Sequence, residues 1–465
     1  MLQLIKNDMN TKRILHFIRE SLSSEQRDFT IGSIRRAIFL LAIPMILEMM
    51  MESVFGLVDK FFVSKLGAIA ISVVGLTEAC MAIIYSIAFG VGMSATAVVA
   101  RRIGEKDAEQ ASRSGVQAML LAIIISIIIS IVGLFFSNDI LRLMGANDEL
   151  IAYGHSFTKI AFCANIVVMM IHLLNGIFRG AGNAAIAMKS LWIGNIANII
   201  LCPICIHFWG LTGAAIATTT GRAIGVIYQL YNLYGGKGIL IIKSAYFKPN
   251  FQILASLSKL SFTATMQFII ASASWIAMTR IMSTFGSEAL SGYTIAIRFI
   301  VFFILPAFGL SNAAATLVGQ NLGAKEFERA EQSVWKVAKY NAIFMGFVSL
   351  LFLVGAGFFV GLISKDPQVL KTGTTALRII SLGYIFYGIG MTLMNAFNGA
   401  GDSKTPTIIN LFWFWIFQIP IAWLVAIKLG IGANGVFIAI VFTETMVTLT
   451  SIYIFKKGWW KTVKV

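Results

Sequence analysis

Charge is scarce in this chain: 12% of its 465 residues are Asp, Glu, Lys or Arg, against roughly 25% in a soluble domain. With 58% hydrophobic residues, that deficit excludes a water-soluble globule. Proline is sparse as well, at seven, which leaves long stretches free to run as unbroken helix. The four cysteines, Cys80, Cys163, Cys202 and Cys205, all lie in apolar runs, and no disulfide framework is expected. Cys202 and Cys205 have CxxC spacing, but a lone pair lacks the second half of a zinc site, so no metal is expected. No nucleophile–base constellation stands out, and no enzyme is expected.

What the chain does have is apolar stretches of about twenty residues, the length that crosses a hydrocarbon core of about 30 Å. Twelve such blocks centre near Glu48, Tyr85, Ser126, Ile166, Ile196, Gly225, Ser272, Phe303, Leu350, Tyr387, Trp415 and Phe442. The expected fold is therefore an all-α polytopic membrane protein with twelve transmembrane helices.

The formal charge of +16 fits a membrane surface better than nucleic acid. Of the 37 Lys and Arg residues, 26 fall on one side of the twelve blocks together with both termini. Seven fall on the other side, and Lys159, Arg222, Arg298 and Arg378 lie within or near the ends of spans. That asymmetry follows the positive-inside rule and predicts cytoplasmic termini in a cell inner membrane. Residues 1–36 read as a cytoplasmic amphipathic leader rather than a cleaved signal.

The chain nearly repeats itself at a shift of 219 residues. "LGAIAIS" (66–72) lies over "FGSEALS" (285–291), Gly90 over Gly309, Gly104-x-Lys106 over Gly323-x-Lys325, and "FRGAGN" (178–183) over "FNGAGD" (397–402). Six spans separate the copies, an even number, so both halves have the same orientation. Two six-helix lobes related by a pseudo-two-fold axis along the membrane normal are expected, with a cavity between them and access changed by rocking. The lobes are placed at 37–235 and 256–456, with a cytoplasmic linker at 236–255 and a tail at 457–465. Gly104 and Gly323 read as helix stops before charged stretches. The "RGAGN" and "NGAGD" turns carry neither GxGxxG nor a phosphate-loop Lys-Ser/Thr pattern, so no ATP-driven chemistry and no cofactor is expected.

Acids inside apolar spans are the candidate working groups, because a charge at the bilayer centre costs about 2.5–3.5 kcal/mol and usually faces a cavity or partner. Glu48, Glu52 and Asp59 fall within about 40° of one another on a helical wheel. Hydropathy alone leaves Asp59 open between a solvated helix end and a buried acid. Glu78 and Glu444 also lie in apolar stretches, and Arg298 is a plausible partner for one of them. His172 reads as a satisfied polar residue. Twenty methionines suit a surface that adapts to varied ligands, and "NLFWFWIF" (410–417) offers aromatic faces to cationic compounds.

Several stretches resemble the multidrug and toxic compound extrusion (MATE) family of secondary antiporters. They are "IPMILEMMMESVFGLVDKFFVSKLG", "GVGMSATAVVARRIGEKD", "FRGAGN", "GLTGAAIAT", "PAFGLSNAAATLVGQNLGA" and "FNGAGDSKTPT". The resemblance covers nearly all of the chain after residue 36. It implies two lobes forming a V around a cleft, with cation entry into one lobe coupled to export of amphiphilic or cationic drugs. It also implies roles for particular residues. Pro44 matches a helix-bending proline, and Asp59, fifteen residues on, the coupling aspartate. Asn198 and Thr218 match its site partners. Cys202 stands where many relatives carry a second aspartate, a poor exchange for Na⁺, which prefers oxygen. Glu52, where relatives often have glutamine, is expected to supply the missing carboxylate, and Glu48 to be structural. Ala271 and Tyr387 stand where one branch has sodium carboxylates in its second lobe. Coupling is therefore expected in the first lobe, as in the DinF-like and archaeal branches, with H⁺ ahead of Na⁺ and the protein acting as a monomer. A lipid-linked precursor flippase and a non-transporting scaffold are the alternatives.

Overall fold

The computed structural model describes residues 15–23, 27–235 and 238–463; the rest of the leader, part of the 236–255 linker and the end of the tail lie outside the described residues. Helices dominate. In the first half they are α1 (Ile34–Ser64), α2 (Ala68–Gly104), α3 (Ala108–Leu143), α4 (Asp148–Cys163), α5 (Asn165–Gly180) and α6 (Ala184–Tyr234). The second half has α7 (Phe251–Met282), α8 (Ser287–Gly323), α9 (Phe327–Gly361), α10 (Pro367–Ser381), α11 (Tyr384–Gly399), α12 (Lys404–Lys428) and α13 (Ala433–Lys457). Two stretches of α12, Leu411–Gln418 and Leu424–Lys428, wind as π-helix. Side-chain caps start several helices where the polar breaks stand: Asp107 accepts from the Gln110 amide, Asn147 from Leu150 and Asp366 from Gln368 and Val369.

Ten described helices, with α4 and α5 taken as one, are long and apolar enough to cross a membrane; α10 and α11 add an eleventh as a pair bent by 57°. The protein is an all-α membrane protein. Helix α6 has 51 residues and would run about 75 Å if straight. It does not, because Gly210 takes φ 55°, ψ −135° and turns the chain back. Behind that turn Gly194 and Gly221 meet backbone to backbone: a Cβ on either would lie 2.6–2.7 Å from the other's carbonyl oxygen. α6 is thus a hairpin of two legs.

The 219-residue repeat is visible in the backbone. Gly67 and Gly286 share φ values of 94° and 99°, and Lys106 and Lys325 share 60° and 63°. The helices end at Gly104 and Gly323 as expected, but these lysines, not the glycines, take the left-handed conformation of the stop. Gly104 and Gly323 are still helical. The glycines serve a different need. A Cβ on Gly104 would collide with the Gln320 carbonyl, and one on Gly323 with the Arg101 carbonyl. Residues 101 and 320, like 104 and 323, are 219 apart, so the two halves make the same contact with roles exchanged. Gly90 against Thr265 and Gly309 against Ile46 form a second exchanged pair.

Hydrogen bonds between the halves gather at the same end of the molecule. Arg101 donates to the Ala400 carbonyl at 3.1 Å, Gln320 to the Gly180 carbonyl at 2.9 Å and Thr316 to the Arg179 carbonyl at 3.1 Å. Arg329 of α9 donates to the carbonyls of Phe29, Ile31 and Gly32, strapping the described end of the leader to the second half. Toward the other end close approaches stay within one half, as of Gly154 to the Val73 side chain and of Gly373 to the Gly292 carbonyl.

Gly104→Val should pry the joined end apart, since overpacking a tight crossing costs about 1–3 kcal/mol. Maleimide labelling of a Thr316→Cys probe in a background free of other cysteines is expected to rise about fivefold or more; unchanged labelling would mean that this crossing does not hold the end closed.

Candidate functional site

Helix α1 brings its acids against the two legs of α6 and against α5, and α2 closes the remaining side. A cavity of about 460 Å³ lies here, lined by Glu52, Phe55, Asp59, Tyr85, Phe89, Thr218 and Arg222 among others. Its lining comes from the first half except for Leu305.

Asp59 sits in the cavity wall. Its Oδ2 accepts a hydrogen bond from the Thr218 hydroxyl at 3.0 Å, and its Oδ1 is shielded from solvent with no hydrogen-bond partner. Thr218 in turn accepts from Asn198 Nδ2 at 3.3 Å. Asn198 reaches this point because the glycine contact of the α6 hairpin lets the legs close: a Cβ on Gly221 would stand 3.0 Å from the Asn198 Cβ. The structure therefore brings Asp59, Asn198 and Thr218 together. Cys202, one turn beyond Asn198, is buried with Cys205 and Ala217 in a small apolar cluster.

Glu52 lines the same cavity but is held by a cation. Arg222 Nη2 donates to Glu52 Oε1 at 3.2 Å, and the guanidinium lies 4.8 Å from the Phe55 ring centroid and 5.4 Å from that of Tyr85. Glu48 belongs to a separate, fully enclosed cluster. Its Oε1 accepts from Asn175 Nδ2 at 2.9 Å and from Arg179 Nη1 at 3.2 Å, while Asn175 Oδ1 accepts from Gln229 Nε2. The acid stripe on α1 thus serves two sites. Pro44 is buried inside α1, which continues helically through it.

Other acids are placed less centrally. Glu78 is half-exposed and pairs with Lys60 at 3.3 Å. Arg298, expected as a partner for either Glu78 or Glu444, is exposed and pairs with neither among the described residues. Glu444 lies among Tyr384, Tyr387 and Trp275 in the second half, with no ion pair among the described residues. His172 is buried against Phe89, ring centroids 4.5 Å apart, and its Nε2 has no hydrogen-bond partner. It is therefore not the satisfied polar residue expected. Trp413 and Trp415 spend their indole N–H groups on Thr450 and the Ile270 carbonyl. Among the described residues no group of three or more His, Cys, Asp or Glu is arranged to hold a metal ion.

A sequence model of the MatE family matches residues 44–204 and 264–424, two spans that cover most of the chain at a shift of 220 residues. The chain belongs to the MATE family. That is a family of transporters, and the protein is not an enzyme. Among curated relatives, the chain is 23% identical over 416 residues to the probable multidrug resistance protein YoeA of Bacillus subtilis, covering 87% of this chain and 90% of that one. It is 22% identical over 422 residues to the multidrug export protein MepA of Staphylococcus aureus, covering 90% and 93%. Among solved structures, an outward-facing conformation of a multidrug resistance MATE family transporter superposes with a TM-score of 0.89, at 24% identity, covering 95% of this chain and all of that one. The MATE fold is shared at that level of likeness.

Arg222 is the site residue that the sequence marks least. Within "TTTGRAIG" it reads as an arginine near a span end, where long basic side chains reach for the interface. The signal that could have singled it out is its place four residues after Thr218, one turn along the same helix face.

Proposed function

We propose that this MATE protein is a cation-coupled secondary antiporter that exports amphiphilic or cationic compounds, with H⁺ as the coupling ion and Asp59 as the group that carries it. One observation carries the reading. Asp59 stands in the wall of an open cavity, with one carboxylate oxygen fixed by Thr218 and the other shielded and unpartnered. A carboxylate so placed is costly while charged and is relieved by a proton or small cation. The names of the relatives, a probable multidrug resistance protein and a multidrug export protein, agree with such a transporter.

The architecture in this reading is twelve crossings in two six-helix lobes, 37–235 and 256–456, with a pseudo-two-fold axis along the membrane normal. The hairpin in α6 supplies the further crossing, and the exchanged glycine contacts support the axis. The joined end carries most of the Lys and Arg residues and is assigned to the cytoplasm of an inner membrane with both termini. The cavity then faces outward, as in the outward-facing relative. Asn198 and Thr218 position Asp59, and Glu52 borders the substrate space. Pro44, which leaves one α1 carbonyl without its usual donor, is the point where α1 bends as the lobe repacks. The exported compounds rest against Phe55, Tyr85 and Phe89. The protein acts as a monomer surrounded by lipid.

The test is efflux of a fluorescent cationic dye from proteoliposomes holding only this protein. An imposed ΔpH is expected to drive efflux; efflux no faster than from protein-free vesicles would overturn the assignment.

A further inference from the structure

Arg222 lies one turn beyond Thr218 on the second leg of α6, and the two residues face α1 together. Thr218 holds Asp59, and Arg222 holds Glu52. The guanidinium rests on Phe55, four residues before Asp59, so it stands about one turn from the coupling carboxylate. The Arg222 side chain is 7% exposed, and its Nη1 is buried without a hydrogen-bond partner.

The surrounding oxygens are of the kind a hard cation takes. Asp59 Oδ1 and Asn198 Oδ1 are both buried and unpartnered. Thr218 offers a hydroxyl, and Glu52 a second carboxylate on the same wall. Without Arg222 the cavity wall would carry two uncompensated carboxylates, one of them beside the Thr218 and Asn198 oxygens. With Arg222 in place, one carboxylate is spent on the guanidinium, and a fixed positive charge stands beside the other. A proton needs a single lone pair on Asp59 and tolerates this arrangement. A sodium ion needs several oxygens at once and must sit beside a permanent cation in a poorly screened setting.

We infer that Arg222 is a built-in cation that makes the Asp59 site selective for H⁺ against Na⁺. This rests on the reading of Asp59 as the coupling acid. Arg222 acts through Glu52 and Asp59 and is a specificity-determining residue.

The experiment uses the full chain in two formats: thermal unfolding in detergent with Na⁺ or choline, and dye efflux from proteoliposomes under ΔNa⁺ or ΔpH alone. Wild type and Arg222→Lys are expected to unfold at the same temperature in Na⁺ and choline, and to ignore ΔNa⁺. Arg222→Gln is expected to gain Na⁺ stabilisation, and its ΔNa⁺-driven efflux to rise at least about tenfold over wild type. Should Arg222→Gln not purify as a monodisperse protein, Arg222→Met, which keeps both carboxylates and an apolar stem against Phe55, is read the same way. Folded variants that remain blind to Na⁺, or a wild type already driven by ΔNa⁺, would overturn the inference. Asp59→Asn separates the two layers. If that variant keeps ΔpH-driven efflux, the coupling reading fails whatever Arg222 does. If it loses efflux while the Arg222 variants stay blind to Na⁺, only the role of Arg222 fails.

Discussion

Asp59→Asn is expected to fold and to lose gradient-driven efflux down to the level of vesicles without protein. Asparagine keeps the shape of aspartate and retains an oxygen able to accept the Thr218 hydroxyl, whose bond to Asp59 is 3.0 Å long. What it lacks is a change of charge. Under the proposed coupling, loading Asp59 removes a carboxylate from a shielded site, and emptying it restores the cost. That difference lets an ion gradient bias one conformation over the other, and a ligand moves an equilibrium only by its differential affinity for the two states. In the variant the site is neutral in both states, so a gradient has nothing to act on. Dye binding in detergent should change little, which separates lost coupling from lost fold. Full efflux in Asp59→Asn would make Asp59 a solvated helix end.

The second large effect concerns Glu48, which is fully buried with Arg179. Removing one member of a buried pair leaves the other charged without compensation, at a cost of about 3–5 kcal/mol. Arg179→Met should therefore destabilise the folded protein by that amount in a denaturant titration. The loss should exceed that of Glu48→Gln, which keeps a side-chain oxygen for Asn175. Replacing both partners, as Glu48→Leu/Arg179→Met, is expected to recover much of the stability, because the pair offsets its own desolvation only partly. Asn175 Nδ2 would still lose its acceptor, Glu48 Oε1, so the recovery is incomplete. If the double variant is no more stable than Arg179→Met, the pair is not the source of the loss.

The parts of this molecule that were legible in the sequence are those written by local pattern. Apolar blocks of spanning length gave helices, and the repeat at 219 gave matching turns, with Lys106 and Lys325 in the same left-handed conformation. The Asp59–Asn198–Thr218 contact followed from the family resemblance, and no spacing rule would have joined residues 159 positions apart. Pairings between helices were the illegible part. A helical wheel puts Glu48, Glu52 and Asp59 on one stripe, yet it says nothing about which neighbour each acid meets. Glu48 finds Asn175 and Arg179 on α5, while Glu52 finds Arg222 on α6. The glycines at 104 and 323 stand where their helices end, but that is not why they are glycine. Glycine before a charged stretch signals a helix stop, and the close approach of another backbone produces the same residue.

The most direct test of the central claim follows protons and substrate together. Proteoliposomes are loaded with a pH indicator and held without any imposed ion gradient, and a cationic substrate is added on one side. Proton-coupled antiport predicts that substrate moving down its gradient drives protons the opposite way in wild type and leaves the indicator still in Asp59→Asn. Substrate movement without a pH change in wild type, or an equal pH change in Asp59→Asn, would contradict the account.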